Sequence, residues 1–570
     1  MIVEALAAQG VRTVWGVVGD ALNPVTDAIR RQDGVGWIGV RHEEVGAFAA
    51  GAQAQLTGNL GVCMGTVGPG SVHLLNGLYD SKKSHAPVLA ICGQVPLAEL
   101  GSDFFQEVDN DLLFRDVAVF TRTITSPEQA PALLEQAVQA ALNEQGVAVL
   151  TLPGDVGDQD LPKHAERPRF VVAHPPSRPD DATLARAAEL IDAAATVTLL
   201  VGVGARAARG HVLALAERLS APMVLTLKAK DGLEHDNPYQ VGQSGLIGNP
   251  AAREALDSGD LLLMLGTDFP YREWYPQGKT VIQVDVRGAH IGRRTAVDLG
   301  MIGDVTATVE ALLPMLSAKA DRGHLDSCRE SFTDWQGRQR ALLDPEHDRG
   351  LVGRIRERLD NSDDRIRPEQ LADAVHRHAA PEAVLTVDTG MSTVWLARFV
   401  EITQGRRLLG SFNLGSMANA MPQALGAQAL DRSRQVVAFC GDGGLTMLLG
   451  DLITAASYDL PVKLVVFDNG RLGMVKLEQE VVGLPEFGTV LANPDLAAVA
   501  RSLGLLGVRV TAPEDVDAAV RDVLAHDGPA LLDVVTNPEE ISLPPHTHVS
   551  DAWGFAIAKV KETLISPDGH

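Results

Sequence analysis

This 570-residue chain is short of positive charge: 49 Lys and Arg stand against 73 Asp and Glu, for a formal net charge of −24. Nucleic acid and anionic membrane faces both demand a cationic surface, so neither is expected as a partner. Cysteine is scarce too. Cys63, Cys92, Cys328 and Cys440 form no CxxC pair, which offers nothing to zinc and fits a reduced, cytoplasmic setting. No apolar run approaches the length needed to cross a bilayer, and Glu4 stands where a secretory leader would be basic.

What is present is hydrophobic content of 45%, 55 glycines and a mean hydropathy of +0.05. With the length and the strand-helix alternation along the chain, this predicts an α/β protein of three domains, each a doubly wound, mostly parallel sheet flanked by helices. Residues 1–160 alternate apolar strands (Thr13 to Val17, Leu60 to Met64, Val88 to Ile91, Val147 to Leu152) with small-residue helices. A proline-bearing run from Asp158 to Asp181 reads as a linker. The second domain, 182–315, opens on a helix and the strand Thr196 to Val201, followed by Gly202-Val203-Gly204. Asp321 to Asp364 reads as a charged helical connector, with Arg349 to Arg358 as a solvated face. The third domain, 366–550, starts at Pro368 and holds the strands Val384 to Val387, Val436 to Cys440, Lys463 to Phe467 and Ala530 to Val535. An echo, Gly51-Ala52-Gln53-Ala54 against Gly426-Ala427-Gln428-Ala429, is compatible with a duplicated fold.

The strongest chemical signal is Gly441-Asp442-Gly443-Gly444, with Asp468-Asn469-Gly470 closing a later apolar strand. Glycines let backbone N–H groups approach phosphate oxygens, while Asp442 and the amide oxygen of Asn469 are hard donors of the kind Mg²⁺ prefers. The two ligands lie 27 positions apart, room for a helix and a returning parallel strand that brings both to one sheet edge. The set therefore reads as a magnesium-diphosphate site. Arg41-His42-Glu43-Glu44, before a small-residue helix, reads by position alone as two carboxylates on a helix dipole.

Taken together, eight motifs carry a resemblance over nearly the whole chain: Trp15-Gly16-Val17-Val18-Gly19-Asp20, Arg41-His42-Glu43-Glu44, Gly68-Pro69-Gly70, His73-Leu74-Leu75-Asn76-Gly77, Phe105-Gln106-Glu107, Phe269-Pro270-Tyr271, Gly415-Ser416-Met417 and Gly441-Asp442-Gly443-Gly444. The chain resembles the thiamin-diphosphate-dependent decarboxylases and oxidases, above all the flavin-containing pyruvate oxidase and quinone-dependent pyruvate dehydrogenase branch. The resemblance implies three cofactors: thiamin diphosphate, Mg²⁺ and FAD. It makes the first domain the pyrimidine-binding one, the second the FAD-binding one and the third the diphosphate-binding one. Glu43 would hydrogen-bond N1′ of the aminopyrimidine, favouring the imino tautomer whose N4′ takes the C2 proton; Glu44 would be structural. Met417 would hold the V shape between the rings, with Gly415 and Ser416 beside it. Asp442, Asn469 and the main-chain carbonyl of Arg471 would bind Mg²⁺, with Gly443 and Gly444 at the diphosphate.

By the same resemblance Ser244, Gly245, Leu246, Ile247, Thr267, Asp268, Phe269, Pro270, Tyr271 and Asp285 would hold FAD, Asp285 at the adenosine end. Gly19, His73, Phe105, Gln106, Val475 and Glu478 would line the substrate pocket; on spacing alone Glu478 is equally a solvated helix carboxylate and His73 a core histidine. The implied reaction is oxidative decarboxylation of pyruvate to acetate or acetyl phosphate and CO₂, with electrons passing through FAD to a quinone or oxygen. A homotetramer, a dimer of dimers, is implied, each site lying between the first domain of one subunit and the third of another. Two alternatives are an FAD-containing carboligase of the acetolactate synthase type and a non-catalytic nucleotide-binding scaffold, the latter disfavoured by intact Glu43, Asp442 and Asn469. Met474 departs from the aromatic residue that close relatives carry near both cofactors. The chain stops at His570 soon after Trp553 to Ile565, without a lipid-binding tail, so membrane activation is not expected. It also starts inside the first helix and carries an insertion around His347 to Asp360.

Overall fold

The computed structural model describes residues 1–163, 165–172, 176–343 and 365–539. The insertion around His347 to Asp360, the Arg349 to Arg358 face and Trp553 to Ile565 lie outside the described residues. The fold consists of three six-stranded sheets, every strand pairing parallel, with helices on their faces. Parallel strands covered on both faces require unbroken apolar runs, and Val147–Pro153, Leu261–Leu265 and Lys463–Asp468 are buried at every position. The nine strands read from the sequence form within a few residues of their expected bounds.

Counting strands along the chain within each sheet, the first and third share the order 2-1-3-4-6-5, while the middle sheet runs 6-5-4-1-2-3. The shared order is what the four-residue echo hinted at. Ligands of such folds sit beyond the carboxyl ends of the strands where the order reverses. In the third sheet that point lies between Val384–Val387 and Val436–Gly441, which lead into Asp388-Thr389-Gly390 and Asp442-Gly443-Gly444. In the first it lies between Thr13–Gly16 and Gly61–Gly65, leading to Gly19 and Gly68. In the middle it lies between Val197–Val201 and Leu261–Leu265, followed by Gly202 and Gly266.

The two echo helices, Glu43–Thr57 and Ala420–Leu430, pack on each other and join the first domain to the third. Small residues allow this approach: a Cβ added at Gly426 would fall 2.3 Å from the carbonyl oxygen of Ala49, and Gln53 Nε2 donates to the Gly426 carbonyl at 3.2 Å. Gly426→Ala must therefore push apart the helix whose first residue is Glu43. A loss of about 1–3 kcal/mol is expected, measurable as a lowered urea midpoint. The charged connector forms a helix, Gly323–Ala341, that buries Leu325, Cys328 and Phe332.

Candidate functional site

Two cavities gather most of the expected site residues of the second and third domains. The first, of about 260 Å³, opens at the third domain's switch point and is lined by Gly441 to Gly444, Asn469, Arg471, Met417, Met474, Val475 and Glu478. Asp442 begins a short helix straight after its strand and is 3% exposed. Three donors fix its carboxylate: Gly443 N to Oδ1 at 2.8 Å, Gly470 N to Oδ2 at 2.8 Å and Asn493 Nδ2 to Oδ2 at 2.7 Å. Burial raises its pKa, with the neighbouring Asp468 charge adding to the effect, so a cation beside it would be welcome. Asn469 Oδ1 accepts from Arg471 N at 2.9 Å, which holds the amide oxygen and the Arg471 backbone together. An all-oxygen set on a glycine loop fits a hard divalent ion better than a soft one. At Gly441 a Cβ would meet nothing within 4 Å, and Gly415, at φ +77, likewise faces open space. In both places the backbone stands bare toward the cavity.

No residue of 1–160 lines this cavity. The expected first-domain residues form a patch of their own. Glu43 is 7% exposed, and its Oε2 lies 2.9 Å from His73 Nδ1, whose ring stacks on His42 with centroids 4.4 Å apart. His73 is exposed, which removes the core-histidine alternative. A Cβ at Gly70 would lie 3.2 Å from Glu43 Oε1, one at Gly19 2.3 Å from Thr66, and one at Gly68 2.7 Å from the carbonyl of Gln106. Gly19, Glu43, His73 and Gln106 thus share the carboxyl edge of the first sheet. Phe105 projects from it, 78% exposed.

Two residues take parts that the motifs did not suggest. Ser416 does not line the cavity; its Oγ accepts from Asn76 Nδ2 at 2.9 Å and donates to the Met417 carbonyl. Asn76 also donates to Glu44 Oε1 at 2.7 Å, so Asn76, held by Glu44, ties the first domain to the loop carrying Met417.

The second cavity, about 310 Å³, is lined by all ten positions expected to hold the flavin. Its floor is two crossing glycine turns: a Cβ at Gly202 would fall 2.2 Å from the Gly266 carbonyl oxygen. The hydroxyl of Ser244 is buried without a hydrogen-bond partner, and two cations line the wall: Lys228, whose Nζ donates to Ser84 Oγ at 3.3 Å, and Arg287, whose guanidinium donates to the Glu144 carbonyl at 2.9 Å. A long, largely apolar anion with a hydroxyl-binding group suits such a wall. Sequence reasoning missed contributions from both neighbouring domains: Ser84 and His85 from the first, and Thr393 with Ser411 to Asn413 from the third. His85 ends its helix in the left-handed region, at φ 55. Burial, reinforced by Arg287 and Lys228, depresses its pKa to about 3. Only a helix end after Lys82 and Lys83 marked the place. The two cavities share Thr389, Gly390, Gly415 and Met474.

Asp80 stands where all three domains meet. It accepts from Gln423 Nε2 at 3.1 Å and faces Lys228, and burial lifts its pKa to about 6 from 3.8. A raised carboxyl pKa leaves stability untouched below pH 3.8, where folded and unfolded chains are both protonated, and subtracts from it in full above pH 6. Asp80→Asn should therefore gain on wild type by up to about 3 kcal/mol as pH rises from 4 to 7. The difference between the two unfolding curves isolates this group from buried histidines such as His85, whose depressed pKa acts in the opposite direction. A difference independent of pH would contradict the assignment.

Among the described residues no helix is long and apolar enough to cross a membrane, and all four cysteines are buried and free. Three family models match the chain: the N-terminal TPP binding domain of thiamine pyrophosphate enzymes over residues 1–113, the central domain over 184–312 and the C-terminal TPP binding domain over 388–534. The protein YdaP of Bacillus subtilis is 37% identical over 97% of this chain and 94% of its own length. A pyruvate oxidase of Lactiplantibacillus plantarum is 31% identical over 94% of this chain and 87% of its own. The large subunit of acetolactate synthase isozyme 2 of Escherichia coli is 32% identical over 94% of each.

Proposed function

This chain belongs to the thiamine pyrophosphate enzyme family, and we propose that it oxidatively decarboxylates pyruvate, using thiamin diphosphate, Mg²⁺ and FAD, to give acetate or acetyl phosphate. The observation that carries this reading is the wall shared by the two cavities. Thr389, Gly390, Gly415 and Met474 line both, so a flavin in one would lie within electron-transfer reach of a thiazolium in the other. The thiazolium supplies the electron sink for the charge left behind when CO₂ departs.

The protein's part is to orient and to hold protons. Asp442, Asn469 and the Arg471 carbonyl would hold Mg²⁺ for the diphosphate, Met417 would support the bound thiamin, and the Glu43 carboxylate would hold the proton shared with N1′. Glu478 and Val475, on the helix Gly473–Val481, face the substrate, with Gln106, Phe105 and His73 closing it from the first domain. That domain belongs to a second subunit in this reading. Support comes from the lining of the metal cavity, which takes nothing from residues 1–160, and from apolar side chains bared on both sides: Val18 (60%) and Phe105 (78%) against Met447 (61%), Phe487 (85%) and Val490 (67%). Such exposure marks an interaction surface. In this reading the protein is a cytoplasmic homotetramer, a dimer of dimers, with oxygen or a quinone as acceptor.

A second reading, carboligation of the acetolactate synthase type with FAD in a structural role, is favoured by the aliphatic Met474 at the junction of the cavities and by the equal likeness to acetolactate synthase. Anaerobic mixing with pyruvate separates the two. Bleaching of the flavin absorbance with release of acetate or acetyl phosphate supports oxidation, whereas acetolactate formed over an unbleached flavin would establish carboligation. Mixing the reduced enzyme with oxygen and, separately, with a soluble quinone identifies the acceptor.

A further inference from the structure

Asn493 stands outside every motif, in the loop that leads into the helix Leu496–Ser502, yet its amide closes the back of the metal clamp. One Nδ2 group donates at 2.7 Å to Asp442 Oδ2 and at 2.7 Å to Asp468 Oδ1. Asp442 and Asp468, the latter adjoining Asn469, are 3% and 5% exposed. Two buried carboxylates so near one another repel, and a neutral group with two N–H bonds is the smallest side chain that can satisfy both at once. Nor is the loop free to drift. Leu491 N donates to the Gly470 carbonyl at 2.8 Å, Leu496 N donates to Asp533 Oδ2 at 3.2 Å, and the Asp495 side chain caps the helix through Ala498 N at 2.7 Å. Arg509 pairs with Asp533 and stands 3.5 Å from Asp468, so the second carboxylate is anchored from behind as well.

We propose that Asn493 is a positioning residue for Mg²⁺: its bifurcated donation holds Asp442 and Asp468 together and aims the remaining lone pairs of Asp442 into the cavity. The inference rests on the Mg²⁺-diphosphate reading of Asp442 and Asn469. Partners that orient metal ligands are commonly worth 10- to 100-fold in metal affinity.

The test uses the full chain and follows quenching of tryptophan fluorescence, since Trp395 lines the same cavity, while Mg²⁺ is titrated at fixed thiamin diphosphate. Asn493→Ala should move the Mg²⁺ midpoint up by about 10- to 100-fold, with saturation recovered at high Mg²⁺ and FAD content unchanged. Asn493→Asp, which brings a third carboxylate and no donor, should shift it further. A wild-type Mg²⁺ midpoint in Asn493→Ala would overturn the proposal, as would loss of binding in both variants that excess Mg²⁺ does not restore while FAD content holds. Wild-type protein that shows no Mg²⁺-dependent quenching would instead remove the reading on which the proposal rests.

Discussion

Glu43→Gln should lower pyruvate turnover about 10³-fold while leaving Mg²⁺-dependent thiamin diphosphate binding within a few-fold of wild type. The carboxylate begins its helix at the switch edge of the first sheet, 7% exposed, with His73 Nδ1 at 2.9 Å from Oε2. Glutamine keeps the volume and can keep a hydrogen bond to His73, so neither the fold nor the helix start suffers. What it loses is the ability to share a proton with a ring nitrogen, and that proton transfer is the step at which an acid–base group acts. The check is the rate of CO₂ release beside the fluorescence titration. A turnover within tenfold of wild type would remove Glu43 from the chemistry.

Asp442→Ala should have the larger effect on binding: at least about 100-fold weaker Mg²⁺ binding, and with it the loss of thiamin diphosphate at ordinary Mg²⁺ concentrations. Three donors converge on this side chain, and without it they are left facing a void beside Asp468. FAD content should be unaffected, because Asp442 takes no part in lining the second cavity. Calorimetric titration of Mg²⁺ with thiamin diphosphate, against flavin absorbance per chain, checks both halves of this expectation. Equal Mg²⁺ affinity in variant and wild type would move the metal elsewhere.

How much of this could be read beforehand follows from the physics of each feature. Central strands buried on both faces are continuous apolar runs, so Val147–Pro153 and Lys463–Asp468 were evident. Strands such as Gln240–Gln243 and Leu299–Ile302 are short and lie at the sheet edges, where periodicity carries little signal. Glycine-bound chemistry was legible as well, because a turn crossing another backbone, as Gly202 crosses Gly266, admits no other residue. Contacts between residues far apart in the chain were not. Asn493 looks like an ordinary turn residue ahead of an aspartate cap, His85 like a helix end, and Asn76 like part of a motif. Their roles depend on Asp442, His290 and Ser416, residues distant in the chain that only the folded arrangement brings alongside.

Glu43 and Asp442 offer the most direct measurement of all, because in this account they serve one cofactor from different subunits. Two differently tagged chains, one Glu43→Gln and one Asp442→Ala, each nearly inactive as a homo-oligomer, are co-expressed and the mixed species purified. A site built across subunits leaves one of the two sites in each mixed dimer with both residues intact, and about half the wild-type activity per dimer should return. A site built within one chain leaves none intact, and mixed dimers as inactive as their parents would contradict the account.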